Sequence, residues 1–408
     1  MPSARVPFPA ARESRPSVST APTAATSTPS TSPSAGPLAG IRVVELGGIG
    51  PGPFAGMLLA DQGAEVIRVD RPAEAGTTSK HPILHRGRRS VALDLKDPAG
   101  VEAVLAVVDS ADALIEGFRP GVAERLGLGP EACLARNPKL VYGRMTGWGQ
   151  DGPLAQAPGH DINYIAVAGA LGALGAADEN PPVPLNLIGD MGGGGMLLAL
   201  GITTALVSAA RTGRGQVVDA AMTDGTAVQL ALVHGLLAVD RWEDARGVNL
   251  FDGGAPFYRT YRTSDGGFMA VGSVEPQFYA VLREILGLAE DPLFAEQHDR
   301  EAWPAMGERL AGIFAERTRE EWTKTFDGTQ SCVTPVYGLT EAASHPHNVA
   351  RGTYYTDNGL LQPAPAPRFQ GTPAATPRPA PVVGAHTRDV LTEVGLDAST
   401  VDALAPKG

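Results

Sequence analysis

The sequence predicts an α/β protein whose large domain contains a Rossmann-like parallel sheet. The first observation is a β-α-β unit, in which segments 41–46 ("IRVVEL") and 64–70 ("AEVIRVD") are typical of strands and flank a glycine-rich turn and an apolar helix. The second is a series of further short apolar segments typical of strands: 91–95, 112–117 and 140–147. Segment 98–111, between two of them, has a helical pattern, and Pro98 suits its first turn.

Composition narrows the function classes. The 408-residue chain is long enough for two or three domains, and its net charge of −11 argues against nucleic acid or an anionic membrane as the main partner. Cys133 and Cys332 are far apart and lack the spacing of metal ligands, so we expect a reducing, cytoplasmic location without disulfides. The longest apolar run, 196–210, is too short to span a bilayer, which predicts a buried helix and no membrane association.

Residues 1–36 differ from the rest of the chain. They are mostly Ser, Thr, Ala and Pro and cannot bury a core, so we predict a disordered tail. The tail has neither the amphipathic face of a transit peptide nor the apolar core of a signal peptide. A targeting role, another function and a misassigned start codon stay open as alternatives.

The glycine-rich turn raises the alternative of a nicotinamide-binding site. Gly48, Gly50 and Gly52 follow a strand, and Asp70 ends the next strand about twenty residues later, as in dinucleotide-binding domains. The spacing is G-x-G-x-G with interleaved prolines, however, and not G-x-G-x-x-G. This difference favours a tight turn into a helix.

A basic cluster follows this unit. Arg71 comes directly after Asp70 and suits a phosphate group, because guanidinium matches phosphate geometry. The cluster continues with His85, Arg86, Arg88, Arg89 and Lys96. In a chain this acidic, basic residues near the ends of parallel strands predict a site for an anionic ligand, and a solvated group of charges is the alternative.

Two other segments carry reactive side chains. In "PGHDINYIA" (158–166), His160 precedes a helix predicted to begin at about Asp161, either as an acid/base group or as part of a capped helix start. In "NLIGDMGGGGMLLALG" (186–201), Asp190 stands before four glycines, either as a helix cap or as a catalytic carboxyl. Four glycines in a row allow the close approach of a ligand, or a hinge.

Seven long motifs occur in a specific order along the chain. They are "ELGGIGPGPFAGMLLADQGAEVIRVDRP", "IEGFRPGVAERLGLGP", "YGRMTGWGQDGP", "GHDINY", "NLIGDMGGGGM", "GQVVDAAMTDG" and "AVGSVEPQFY". Together they resemble the α-methylacyl-CoA racemases, a group within the family III CoA-transferase superfamily. The resemblance covers roughly residues 37 to 390 and leaves the tail outside.

The resemblance implies roles for individual residues. It makes His160 and Asp190 the catalytic histidine and aspartate, and it makes Glu275 of "EPQFY" a support for the histidine, supplied by the small domain of the other subunit. It assigns the binding of the CoA moiety to Ile49, Arg71, Leu93, Lys96 and Arg125.

The resemblance also implies an architecture, an interlocked homodimer in which each chain has a large CoA-binding domain and a smaller α+β domain. The expected segments are a large domain over 37–220, linker helices over 221–254, a small domain over 255–345, a return linker over 346–363 and a C-terminal segment over 364–408 that completes the large domain.

These residue types suit epimerisation of a carbon next to a thioester. One group must remove the α-proton and another must return a proton on the opposite face, and we expect His160 and Asp190 to share these roles, with Glu275 fixing the histidine tautomer. The Asp161 N–H is the expected donor to the enolate oxygen. Tyr164, one turn from His160, is expected to contact the reacting group or the carboxylate. The reaction needs no metal, flavin or nicotinamide, so CoA enters only as part of the substrate.

CoA transfer is the alternative function. Transferases of this superfamily move CoA to a carboxylic acid through an aspartyl-CoA intermediate, and their nucleophile lies where Asp190 does. The histidine of "GHD" and the glutamate of "EPQFY" favour the racemase, and the filled catalytic positions disfavour an inactive CoA-binding scaffold. Segment 228–242 contains no methionine, unlike the acyl path of many such racemases. Branched fatty acyl, steroid side-chain and smaller 2-methylacyl groups therefore all stay open as substrates.

Overall fold

A six-stranded sheet dominates the computed structural model, which describes residues 36–406. The predicted tail lies outside the described residues except for Gly36. The strands are β1 (Arg42–Leu46), β2 (Glu65–Asp70), β3 (Arg88–Ala92), β4 (Ala113–Glu116), β5 (Val141–Thr146) and β6 (Gln216–Ala221). All neighbours pair in parallel, in the order β3-β2-β1-β4-β5-β6. The predicted α/β fold with a Rossmann-like parallel sheet is confirmed.

This strand order creates a crevice at one edge of the sheet. The chain runs outward from β1 through β2 to β3 and then returns to place β4 on the other side of β1. The connections that follow β1 and β4 therefore diverge, and ligands of doubly wound folds bind at this switch point, outside the carboxyl ends of the strands.

Helices cover both faces of the sheet. They are α1 (Pro51–Asp61), α2 (Pro98–Val108), α3 (Val122–Arg125), α4 (Pro130–Arg136), α5 (Asp161–Val167), α6 (Leu197–Thr212), α7 (Met222–Gln229) and α8 (Ala231–Leu237). Successive strand residues alternate between faces, so Val44 packs in the core with α2 while Val43 packs in the core with α1 and α6. Apolar strands buried on both faces are typical of parallel sheets.

The second part of the chain builds a smaller α+β unit around an aromatic core. It contains an antiparallel sheet of β7 (Tyr258–Arg262), β8 (Phe268–Gly272) and β9 (Val333–Pro335), with α9 (Pro276–Ile285), α10 (Trp303–Phe314) and α11 (Arg319–Phe326). Phe314 is fully buried and stacks on Tyr261 with ring centroids 5.1 Å apart.

The C-terminal part of the chain returns to the large sheet. It forms α12 (Pro346–Arg351), the hairpin of β10 (Tyr354–Asp357) and β11 (Leu360–Pro363), α13 (Thr387–Glu393) and α14 (Ala398–Leu404). Val390 and Leu391 of α13 and Val401 of α14 are buried in the same core cluster as Val44 of β1.

Two predicted element starts were wrong, and one strand was missed. Helix α1 begins at Pro51 and not at Phe54, where the apolar segment "FAGMLLADQG" predicts it, because proline is tolerated in a first turn, where the N–H has no partner within the helix. Strand β3 starts at Arg88 and not at residue 91, because carboxylates from other parts of the chain neutralise its two arginines. Strand β6 was not predicted, and most of its residues are exposed or half-buried at the sheet edge.

Leu187–Met196, which we call the glycine segment, is a wide π-type helix that continues into α6. A Cβ at Gly195 would lie 2.7 Å from the side chain of Phe54 in α1, and a Cβ at Gly193 would lie 2.8 Å from the backbone nitrogen of Thr226 in α7. Glycine is needed here because neighbouring helices approach at backbone distance. Close packing between helices thus accounts for these glycines within the chain, and the predicted ligand approach or hinge stays a prediction.

The apolar run after the glycine segment is a helix with one buried side. The continuous stretch Leu187–Thr212 is long and apolar enough to cross a membrane by length and composition, and 39% of its most apolar window is buried. Leu198 and Ile202 pack in the sheet core, whereas Leu200 is 62% exposed. A buried helix was predicted here, and in the single chain only one side of the helix is buried.

The packing at the glycine segment predicts that Gly225→Ala destabilises the protein. A Cβ at Gly225 would lie 1.9 Å from the carbonyl oxygen of Gly193, so α7 must move away from the glycine segment. Overpacking of this kind typically costs about 1–3 kcal/mol. We expect a lower thermal unfolding midpoint by circular dichroism.

The matched control is Gly312→Ala in α10, where a Cβ meets nothing within 4 Å. This change should raise stability by up to about 1 kcal/mol, because alanine favours helix over glycine. Equal effects of the two substitutions would contradict the packing argument.

Candidate active site

The residues predicted to bind CoA lie after consecutive strands at the carboxyl edge of the sheet. Ile49 follows β1, Arg71 follows β2, Leu93 and Lys96 follow β3, and Arg125 ends α3 after β4. The side chain of Ile49 is 77% exposed, and Arg71, Lys96 and Arg125 are exposed as well. The side chain of Leu93, in contrast, is buried in the core.

The rest of the predicted basic cluster is structural. Arg86 is buried in an ion pair with Asp61 at 2.6 Å, and Arg88 is fully buried at 3.0 Å from Glu45. Arg89 joins Glu65 and Glu393, each at 2.7 Å. These three arginines neither wait for an anionic ligand nor form a solvated group of charges, because carboxylates from other parts of the chain already neutralise them. Half-buried His85 has its pKa lowered to about 3 by burial and by the nearby arginine charges, so it is neutral.

The nicotinamide alternative is also disfavoured. The Asp70 carboxylate, which would bind a ribose in such a site, is buried and accepts hydrogen bonds from Arg68 at 2.8 Å and from the Ser90 hydroxyl at 2.6 Å. Both of its oxygens are engaged inside the protein.

A buried ionic network supports the turn after β1. Arg68 pairs with Glu45 and donates to the carbonyl oxygen of Gly48 at 3.2 Å, and Arg88 donates to the carbonyl oxygen of Pro53. These bonds anchor the turn that carries Ile49 on both sides. Sequence reasoning missed this role of Glu45 and Arg68, although charged residues in the middle of strands were a signal for it.

His160 lies at the start of α5, as predicted. Its backbone N–H donates to the Asn163 side chain at 3.0 Å, and the residue is exposed. Helix α5 begins at Asp161, whose backbone N–H has no protein acceptor within residues 36–406. This N–H group is therefore free to donate to a ligand beside His160.

Asp190 lies in the glycine segment beside the starts of two helices. Its backbone N–H donates to the Asp161 carboxylate at 2.6 Å, and its own carboxylate accepts from Asn186 at 3.1 Å. A Cβ at Gly50, at the start of α1, would lie 3.2 Å from an Asp190 carboxylate oxygen. The two candidate acid/base groups are thus joined through Asp161, next to the turn after β1.

Burial is the main influence on the Asp190 carboxyl and raises its pKa. The negative charge of Asp161 raises this pKa further, while the Asn186 hydrogen bond and His160 act in the opposite direction. A raised pKa makes the protonated acid form of Asp190 more available near neutral pH.

Tyr164 supports the segment that precedes His160. Its hydroxyl donates to the Gly159 carbonyl oxygen at 2.5 Å, and its ring meets the edge of Trp148 with centroids 4.8 Å apart. Burial and then the charge of Asp190 raise the pKa of Tyr164, and the charge of Arg119 opposes them. Arg119 thus lies near the site, although sequence reasoning did not select it within "IEGFRPG".

Comparison with known proteins places this geometry in a family. The profile of CoA-transferase family III matches residues 38–387. The chain belongs to CoA-transferase family III. Alpha-methylacyl-CoA racemase of Mus musculus is 48% identical over 366 residues, which cover 89% of this chain and 95% of that one.

A curated transferase and a solved structure are also similar to this family III chain. Succinyl-CoA–D-citramalate CoA-transferase of Chloroflexus aurantiacus is 31% identical over 385 residues, which cover 88% of this chain and 94% of that one. The crystal structure of a CaiB/BaiF family protein from Brucella suis matches with a TM-score of 0.75 and 27% identity, and covers 88% of this chain and all of that one.

In this family III chain, Glu275 belongs to the smaller unit and not to the elements that carry the other candidate catalytic residues. It is exposed and immediately precedes α9 of the smaller unit. No hydrogen bond or ion pair joins Glu275 to His160 of the same chain within residues 36–406. The described part of the chain also has no group of three or more His, Cys, Asp or Glu arranged to hold a metal ion.

The Tyr164 contact predicts that Tyr164→Phe weakens both stability and activity. A buried hydrogen bond of this kind contributes about 0.5–1.5 kcal/mol, and its loss leaves the Gly159 carbonyl without its partner next to His160. We expect a lower unfolding free energy in urea and a reduced kcat.

Tyr337→Phe is the control, since the Tyr337 hydroxyl makes no hydrogen bond within the described chain. A Tyr164→Phe protein as stable as the Tyr337→Phe protein would show that this hydroxyl does not hold the segment.

Proposed function

We propose that this protein epimerises the α-carbon of 2-methylacyl-CoA thioesters and is therefore an isomerase. The observation that carries the proposal is the placement of two groups capable of acid/base chemistry, His160 and Asp190, on either side of Asp161. Asp161 directly follows His160 in the chain, and its carboxylate accepts the Asp190 N–H at the carboxyl edge of the sheet. The relative with 48% identity, which is named a racemase and covers most of the chain, supports the same reaction.

The reaction removes the proton from one face of the α-carbon and adds a proton to the opposite face. For an S substrate, neutral His160 removes the α-proton, electrons move onto the thioester oxygen, and protonated Asp190 returns a proton to the carbon. For an R substrate the roles reverse. The burial that raises the pKa of Asp190 helps this carboxyl to act as the acid.

The enolate oxygen needs a hydrogen-bond donor, because negative charge develops there. The backbone N–H of Asp161 has no protein acceptor and lies directly after His160, so we assign it this role. Removal of one such donor in other enzymes costs about a hundred- to a thousandfold in rate.

The CoA moiety would lie along the carboxyl edge. Arg71 and Lys96 are exposed cations after β2 and β3, where they would bind the phosphate groups of CoA. The thioester would then lie along the turn that carries Ile49, close to Asp190. Arg125 would add a cation after β4. In this proposal CoA belongs to the substrate, and the proton transfers require no other cofactor.

A homodimer would complete the site. Leu200 of α6 and Leu232 of α8 are 62% and 63% exposed, and Val207, Val228 and Val239 are exposed nearby in sequence. Monomeric proteins rarely leave so many large apolar side chains uncovered. Within the described part of one chain, Glu275 makes no bond to His160. A second copy that covers these helices would be able to place Glu275 of the partner subunit next to His160.

Epimerisation predicts exchange of the α-proton with solvent. Purified protein with one epimer of a 2-methylacyl-CoA in D₂O, without an acceptor acid, should replace the α-proton by deuterium and interconvert the epimers, as followed by NMR. Transfer of CoA to an added carboxylic acid without this exchange would instead indicate the transferase, with Asp190 as nucleophile.

Variants of the two bases separate their roles. Asp190→Asn should lose epimerisation by about a hundred- to ten-thousandfold, the usual contribution of a positioned acid/base group, yet His160 should still exchange the α-proton of the S epimer with retention. His160→Ala should lose that exchange. Exchange in both epimers of the His160→Ala protein would contradict the assignment.

Shared sites predict complementation between two inactive variants. His160→Ala and Glu275→Ala homodimers should both be impaired, while co-expressed mixed dimers should regain activity, because one of their two sites combines an intact His160 with Glu275 of the partner subunit. Mixed dimers that stay as inactive as both parents would show that Glu275 acts within its own chain or not at all.

A further inference from the structure

The Asp161 side chain occupies an unusual place between the two proposed bases. Asp161 is buried, with 6% exposure, although it directly follows the exposed His160. One carboxylate oxygen accepts the Asp190 N–H at 2.6 Å, and the other is buried without a hydrogen-bond partner in the described chain. Burial of a carboxylate oxygen without a hydrogen-bond partner carries a desolvation cost, which indicates that this side chain has a specific role.

We propose that the Asp161 carboxylate is a positioning residue that ties the proposed acid/base pair together. It holds the Asp190 backbone at a set distance from His160 and places a negative charge beside the Asp190 carboxyl. This inference rests on the proposed function and concerns the side chain, which is separate from the Asp161 N–H.

The Asp161 carboxylate packs directly against the backbone of the glycine segment. A Cβ at Gly189 would lie 2.7 Å from the bonded carboxylate oxygen of Asp161, so the carboxylate reaches the glycine segment at backbone distance. The hydrogen bond therefore links α5 directly to the backbone that carries Asp190. A shift of about 1 Å between reacting groups can cost about a hundredfold in rate.

The charged and polar groups around Asp190 are few. From α5 it faces Asp161, His160 and Tyr164, and from its own turn it faces Asn186. On the other side, uncharged Gly50 at the start of α1 lies beside the Asp190 carboxylate. Helix α7 contacts the glycine segment through Met222, Thr226 and the neutral Gln229, whose amide donates to the Ile188 carbonyl oxygen at 3.0 Å, while its single acid, Asp224, is exposed.

The sign of the charge effect follows from this arrangement. The negative charge of Asp161 raises the pKa of Asp190. Removal of that charge lowers the pKa of Asp190, so the acidic limb of the pH profile for kcat/KM moves to lower pH. Both reaction directions share this limb, because the pair titrates as a unit.

Asp161→Asn and Asp161→Leu separate position from charge. Asparagine keeps an oxygen that can accept the Asp190 N–H but carries no charge, so we expect less than a tenfold loss in kcat and an acidic limb at lower pH. Leucine removes the acceptor as well, and we expect at least a hundredfold loss in kcat with little change in KM. Thermal unfolding shows whether the leucine variant is folded.

Asp219→Asn is the matched control, because the Asp219 carboxylate on β6 also accepts a backbone N–H, that of Gln150 at 3.3 Å. The acidic limb of the kcat/KM profile of this variant should stay at the wild-type pH. An Asp161→Asn limb at the wild-type position would overturn the inference, as would an asparagine variant as slow as the leucine variant. Wild-type protein without α-proton exchange would overturn the proposed function and this inference with it, whereas an exchanging wild type with an unmoved limb overturns this inference alone.

Discussion

The site depends on one packing constraint, the contact of the glycine segment with α1 and α7 at backbone distance. Gly193, Gly194 and Gly195 leave no space for side chains against these helices. The tight contact places Asp190 beside the turn after β1, where the strand order opens a crevice. A bulkier segment would move this carboxyl away from both α5 and the carboxyl edge of the sheet.

Charge is distributed so that buried cations are neutralised, whereas the exposed cations Arg71 and Lys96 at the carboxyl edge have no ion-pair partner within residues 36–406. Beneath the edge, Glu45 is fully buried between Arg68 and Arg88, and these arginines donate to backbone oxygens on both sides of the turn that carries Ile49. Removal of one member would leave an uncompensated buried charge, which is far more costly than loss of a surface pair. Above the edge, Arg71 and Lys96 stay exposed. The network therefore gives rigidity to the turn without competing for the proposed phosphate groups.

Particular residues show how far sequence reasoning reached. The β-α-β unit was predictable because period-two apolar strands and a glycine-rich turn are local signals. The partners of Arg86, Arg88 and Arg89 were not predictable, because they lie as far as Glu393 in the chain. These three arginines were therefore interpreted wrongly as part of a ligand site or a solvated group. The entropy cost of the four glycines was visible in the sequence, whereas the helix packing that requires them was visible only in the structure. His160, Asp190 and Glu275 were assigned by resemblance, and only for the first two does the chain itself supply a connection.

By itself, the sequence determined the parallel α/β architecture, the start of α5 at Asp161 and the membership of CoA-transferase family III, because periodicity, helix caps and ordered motifs are written locally in the chain. Only the tertiary structure decided which charged residues are structural, that Asp190 is bonded to Asp161, and that the side of α6 carrying Leu200 is uncovered in a single chain. The physical reason is that burial, desolvation and ion pairing are set by residues distant in sequence, which approach one another only when the sheet and its helices pack.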